Sequence, residues 1–163
     1  MLQRPHQNLQ YNIFFISNLI ISLISSKKVK AGVNPVDTCE VFEQVTIVFN
    51  DIPDFMDICS KCDGLQIVQM LNEMFGIFDY LSDRNGIYKV ETVKDSFVGV
   101  SGAPEKVKNH AEKIMDMALD MRDCVSFVKD PRPEFKEDES AHVKIRQGKF
   151  LFYLKLKMYP SLV

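Results

Sequence analysis

The chain has 163 residues, 46% apolar, 10% aromatic and 26% charged, which suits one folded domain of ordinary size and excludes a large multidomain machine and wholesale disorder. Lysine plus arginine number 20 against 22 aspartates and glutamates, a net charge of -2, so nothing draws the chain onto nucleic acid or anionic lipid. Four cysteines (Cys39, Cys59, Cys62, Cys124) are too few and irregular for a secreted disulfide framework, and no Asn-x-Ser/Thr sequon occurs, so the chain reads as cytoplasmic with reduced thiols.

Residues 13–24 form an apolar run followed by Lys27, Lys28 and Lys30. The run is short of the ~20 residues a spanning helix needs, and its positive charge follows where a signal peptide carries it in front. Residues 1–40 are therefore expected outside the domain and membrane association is not the favoured reading, an anchored fragment being an alternative that rests on residues 13–24 alone.

Val45-Thr-Ile-Val-Phe49 is a β-branched and aromatic run, the pattern of a strand buried on both faces, and Asp51 and Pro53 end it. From 65 to 81 apolar residues recur at Val68, Leu71, Phe75 and Phe78, with Ile67, Met74 and Leu81 on a neighbouring stripe, which predicts a helix ended by Asn85-Gly86. Residues 87–92 and 96–100 read as a hairpin with Asp95 at its turn. A second helix is predicted with Pro104 in its first turn and Val107, Ala111, Ile114, Ala118, Met121 and Val125 on its apolar side. Asp130-Pro131-Arg132-Pro133 ends it, a solvated, mobile loop runs through Glu139, and residues 142–146 supply a last strand. Strand, helix, strand, strand, helix, strand in that order gives an α+β fold, a ferredoxin-like βαββαβ sandwich.

Three acids stand where a site could be built: Asp51 at a strand end, Asp95 at the hairpin turn, and Glu91 on the hairpin. Carboxylates on adjacent strand ends suit Mg²⁺ or Mn²⁺, although strand-end aspartates by themselves are far more often solvated turn residues. Cys59 and Cys62 form a C-x-x-C without a second pair to complete a zinc site. His110 and His142 read as structural, and Met70, Met74, Met115, Met117 and Met121 as core packing.

Val45-Thr-Ile-Val-Phe-Asn-Asp-Ile-Pro-Asp-Phe55, Ile58-Cys-Ser-Lys-Cys62, Met70-Leu-Asn-Glu-Met-Phe75, Tyr88-Lys-Val-Glu-Thr-Val-Lys-Asp95 and His110-Ala-Glu-Lys113 together resemble the catalytic domain of class III nucleotide cyclases, soluble guanylate cyclases above all, over 41–148. The resemblance implies conversion of GTP to 3′,5′-cyclic GMP and pyrophosphate at a dimer interface. It implies that Asp51, Asp95 and the Ile52 carbonyl hold two Mg²⁺ or Mn²⁺ ions, and that Glu91 reads the purine. A carboxylate accepts from guanine N1–H and the 2-amino group but has nothing to offer adenine N1, so GTP is favoured over ATP. A haem-regulated region, where such relatives have one, lies upstream of the domain.

Departures from the family pattern are visible as well. Asp54 and Lys94 replace glycines, and a His-x-Gly segment, a guanine-reading cysteine and an Asn…Arg helix do not follow Gly148. Residues 149–163 read as a non-family tail, as if translation had run through a splice junction at Gly148-Lys149-Phe150. A chain lacking those parts is expected to leave a sheet edge and part of a helix face uncovered. The alternative to a cyclase is then a non-catalytic cyclase-like module for dimerisation or regulation.

Overall fold

The structure, a computed structural model, describes residues 32, 41–42, 44–152 and 156–157. The apolar run 13–24 lies outside the described residues, as does most of the tail. The chain divides into two compact units. In one, β1 (Val41–Phe42) pairs antiparallel with β6 (Leu156–Lys157). The other, residues 45–152, holds everything that follows.

Its sheet has four antiparallel strands in the order β3-β4-β2-β5: β2 is Val45–Asp51, β3 Tyr88–Val93, β4 Ser96–Ser101 and β5 Arg146–Phe152. Three helices accompany it: α1 (Phe55–Lys61), α2 (Gly64–Asn85) and α3 (His110–Cys124). This is the expected ferredoxin-like order, with the first strand central and the last beside it. On β2, Thr46, Val48 and Asn50 turn toward the helices: Thr46 meets His110, Asn50 meets Met121, and Val48 joins their core. Val45 and Ile47, which alternate with them, are also buried. A strand covered on both sides must be apolar throughout, which is why it reads so plainly.

An Asp63–Gln66 capping box starts α2, each side chain accepting from the other's backbone N–H, and Gly86 ends it in the left-handed region at φ +63°. Its buried face is Met70, Met74, Phe78 and Leu81, with Ile67, Leu71 and Phe75 packed beside it. Val68, expected on that face, is 51% exposed. The helix is apolar around most of its circumference, so spacing alone did not choose the stripe.

The expected helix start at Pro104 also needs correction, because α3 begins at His110. Gly102 at φ +93° turns the chain first, and residues 102–109 form bends and turns that leave Pro104 and Val107 outside the helix. Ile114, Met117, Ala118 and Met121 fill the buried side, whereas Met115 is 47% exposed and is not core.

The last strand is likewise not 142–146. His142 makes only an isolated bridge to Lys129, and β5 starts at Arg146. It then pairs with β2 over seven positions, from Asp51 opposite Arg146 to Val45 opposite Phe152. The pairing therefore runs past Gly148. β3 and β5 are the outer strands of this sheet, and Leu65, Val68, Met115 and Leu119 stand exposed on the helices.

Candidate active site

β2 ends at Asp51, and the next residue ties that end to the β3–β4 hairpin: the Ile52 N–H donates to Asp95 Oδ2 at 3.0 Å. The chain then turns, the Phe55 N–H donating to the Ile52 carbonyl at 3.1 Å, and α1 begins. The carbonyl oxygen keeps a second lone pair. Asp51, Ile52 and Asp95 are thus gathered at one strand end. Among the described residues no three His, Cys, Asp or Glu side chains surround a common point. Two carboxylates and a backbone carbonyl are nonetheless an all-oxygen set, chemically suited to Mg²⁺ or Mn²⁺.

One partner of Asp51 was not foreseen. Arg146, opposite it in the β2–β5 register, donates Nε–H to Oδ1 at 3.0 Å and Nη2–H to Oδ2 at 2.5 Å. The positive charge of Arg146 is reinforced chiefly by these hydrogen bonds and the charge of Asp51, with a further contribution from the field of Asp95. The pair follows from the β2–β5 register, which a last strand over 142–146 does not provide.

Glu91 is half-buried on β3, and its side chain makes no hydrogen bond or ion pair among the described residues. A register irregularity between Lys89 and Glu91 sets its direction. Lys89 pairs with Gly99 and reaches the α2 residue Asp79, but Glu91 pairs with Val98, which lies opposite Phe49 on the other face. In a regular ladder from Lys89, Val90 would pair with Val98 and Glu91 with Phe97, which would point Glu91 at the helices. The irregularity puts Glu91 on the sheet face that Asp51 also occupies, two positions further along β2.

The two departures noted in the sequence both fall at this end of the sheet. Lys94 is the first of two residues joining β3 to β4 and has φ +56°, a conformation that glycine adopts without steric cost. Asp54 precedes α1 as its N-cap, exposed and without a capping hydrogen bond.

The loop expected to be mobile instead forms a brace. Arg132 donates to both oxygens of Asp130 and, at 2.7 Å, to Asp57 on α1, and its guanidinium lies over the Phe135 ring. Lys61 joins Asp57 to Glu134. Beside the brace is an open cavity of about 590 Å³ whose lining includes Ile52, Asp54, Ile58, Arg132 and His142. Burial, with Asp130 nearby, pushes the Cys62 thiol up, which disfavours the thiolate that redox or metal chemistry at the C-x-x-C would use. His110 is buried at the start of α3, its Nδ1 hydrogen-bonded with Thr46 Oγ1 at 2.7 Å. No helix among the described residues is long and apolar enough to cross a membrane.

Comparison with known proteins gives this geometry a context. The profile described as "Adenylate and Guanylate cyclase catalytic domain" matches residues 38–151. Human guanylate cyclase soluble subunit beta-2 is 38% identical over 109 residues, covering 67% of this chain and 16% of that protein. The rat subunit is 42% identical over 90 residues, covering 55% and 13%. The chain thus spans about a sixth or less of the length of these curated relatives. Among solved structures, the guanylate cyclase domain of RhGC from Catenaria anguillulae, in complex with GTP, superposes with a TM-score of 0.60 at 33% identity, over 68% of this chain and 57% of that one. The monomeric guanylyl cyclase domain of RhoGC from Blastocladiella emersonii gives 0.60 at 32%, over 68% and 61%. With a matching profile over most of its length and the expected strand order, the chain belongs to the adenylate and guanylate cyclase catalytic domain family.

Proposed function

We propose that this chain carries the metal-binding and base-reading part of a guanylate cyclase, which converts GTP to 3′,5′-cyclic GMP and pyrophosphate at an interface with a second cyclase chain in the cytoplasm. The ribose 3′-oxygen bonds to the α-phosphorus, the bond from that phosphorus to pyrophosphate breaks, and the 3′-hydroxyl proton is lost. Asp51, Asp95 and the Ile52 carbonyl would hold two Mg²⁺ or Mn²⁺ ions, which supply the acidity of that hydroxyl and charge neutralisation along the triphosphate. Glu91 accepts from guanine N1–H and the 2-amino group and so selects GTP. The observation that carries the reading is the 3.0 Å hydrogen bond from Ile52 N–H to Asp95 Oδ2, which draws the three oxygen donors to one strand end.

The test is GTP binding in Mn²⁺ by the full chain. Asp51→Ala and Asp95→Ala should each abolish Mn²⁺-dependent binding, and Glu91→Lys should remove the preference for GTP over ATP. Binding by both alanine variants at the native level would refute the assignment.

A second reading, a non-catalytic cyclase-like module that pairs with a complete cyclase, is favoured by Asp54. Its exposed carboxylate stands at the N-terminus of α1, where it repels an approaching triphosphate. On that reading the alanine variants leave GTP binding, weak in the native chain, unchanged.

A further inference from the structure

We propose that Arg146 is the resident counter-cation of Asp51, a latch that a divalent metal ion must displace before that carboxylate can serve as a ligand. The inference rests on the reading of Asp51 as a metal ligand and adds to it a competitor supplied by the chain itself.

The argument is one of donor and acceptor capacity. Both oxygens of Asp51 are taken by the guanidinium, at 3.0 and 2.5 Å. A two-pronged grip of this kind is the strongest that an arginine makes on a carboxylate. The grip is built into the fold, because Asp51 and Arg146 are the terminal register pair of β2 and β5. Asp95 differs: one of its oxygens is fixed by the Ile52 N–H, and no arginine or lysine is paired with it among the described residues. The two carboxylates are therefore unequal, one open and one latched.

The latch is weak enough to open. Arg146 is 68% exposed and Asp51 33%, and ion pairs in such positions contribute at most about 1 kcal/mol because water screens them. A divalent cation carries twice the charge of the guanidinium and bonds the oxygens directly, so it can displace the arginine while losing part of its affinity to the competition. The guanidinium also protects the metal-free state, since it offsets the repulsion between Asp51 and Asp95.

The experiment is a titration of the full chain with Mn²⁺ alone, without nucleotide, reading free Mn²⁺ by electron paramagnetic resonance. Arg146→Gln should bind Mn²⁺ roughly two- to fivefold more tightly than the native chain, the range that loss of an exposed pair allows. Arg146→Lys, which keeps a charge but cannot grip both oxygens, should fall between them. Asp51→Asn and Asp95→Asn should each weaken binding more than tenfold. Native or weaker affinity in Arg146→Gln, with Asp51→Asn still impaired, would overturn the latch and leave the metal site standing. Native affinity in both asparagine variants would overturn the latch and the metal site together. Circular dichroism establishes that each variant is folded; should Arg146→Gln not fold, the lysine variant decides, tighter binding supporting the latch and unchanged binding refuting it.

Discussion

Lys94 shows how one side chain can oppose its backbone. At φ +56° in a two-residue turn, a residue with a Cβ carries a steric cost of about 1–2 kcal/mol that glycine avoids, while glycine loses about 0.4–1 kcal/mol through the greater freedom of its unfolded chain. Lys94→Gly should therefore stabilise the protein by about 0.5–1 kcal/mol, read as a higher urea midpoint with unchanged slope. A lower midpoint would mean that the lysine side chain stabilises the hairpin by more than the turn strain costs. The lysine was legible in the sequence because the family that the chain resembles carries glycine at that position of the hairpin turn. The Asp51–Arg146 pair was not, since its members are 95 residues apart and only the strand register brings them together. The direction of Glu91 was hidden for a related reason: a single extra residue in β3 reverses the face, and nothing in Lys89-Val90-Glu91 marks it.

At the scale of elements, the central strand and the hairpin were easier to read than the last strand or the helix faces. β2 declares itself through an unbroken β-branched run, and its ends fell where expected. α2 is apolar on so many sides that its buried stripe depends on what it packs against, and α3 begins only after Gly102 has turned the chain. The brace between α1 and the loop after α3 was beyond sequence reading, because charged loop residues look solvated until a partner element is placed beside them. The Asp130 side chain is 4% exposed and that of Arg132 14%, so removal of the arginine strands a buried carboxylate. Arg132→Ala should cost about 2–4 kcal/mol at pH 7 by urea unfolding. Burial raises the Asp130 carboxyl, but the Arg132 hydrogen bonds and charge outweigh it and leave a net depression below 3.8. Asp57 is lowered by Lys61 and Arg132, and Glu134 by Lys61. Groups with depressed folded pKa values bind fewer protons folded than unfolded, so their stabilisation is complete above the unfolded values of 3.8 and 4.5 and is lost as pH falls through the folded ones. The penalty of Arg132→Ala should accordingly shrink as pH drops from 5 to about 3, since acid breaks the same contacts in the native chain. A penalty constant across that range would show that the arginine acts through packing on Phe135 rather than through charge.

At the scale of the whole folded unit, residues 45–152, the site and the core are one structure. Val48 and Ile52, on either side of Asp51, and Phe97, two residues after Asp95, belong to the same buried cluster as Phe78, Met74 and Met121. Phe78 stands at its centre, fully buried, with its ring edge-on to Phe97 at 5.7 Å and to Phe75 at 6.4 Å. Truncation of such a ring costs about 3–5 kcal/mol, against a total stability of about 5–15 kcal/mol for a typical domain. Phe78→Ala should therefore lower Tm by more than about 12 °C, from the usual shift of about 4–8 °C per kcal/mol at this size. The site should fail with the core: the Mn²⁺-dependent GTP binding proposed above should disappear over the same temperature range as the helical signal, because that packing supports the strand ends holding Asp51 and Asp95. Loss of GTP binding well below the helical transition would instead mean that the strand ends open locally, and that the hydrogen bond from Ile52 to Asp95, not the core, limits the stability of the site.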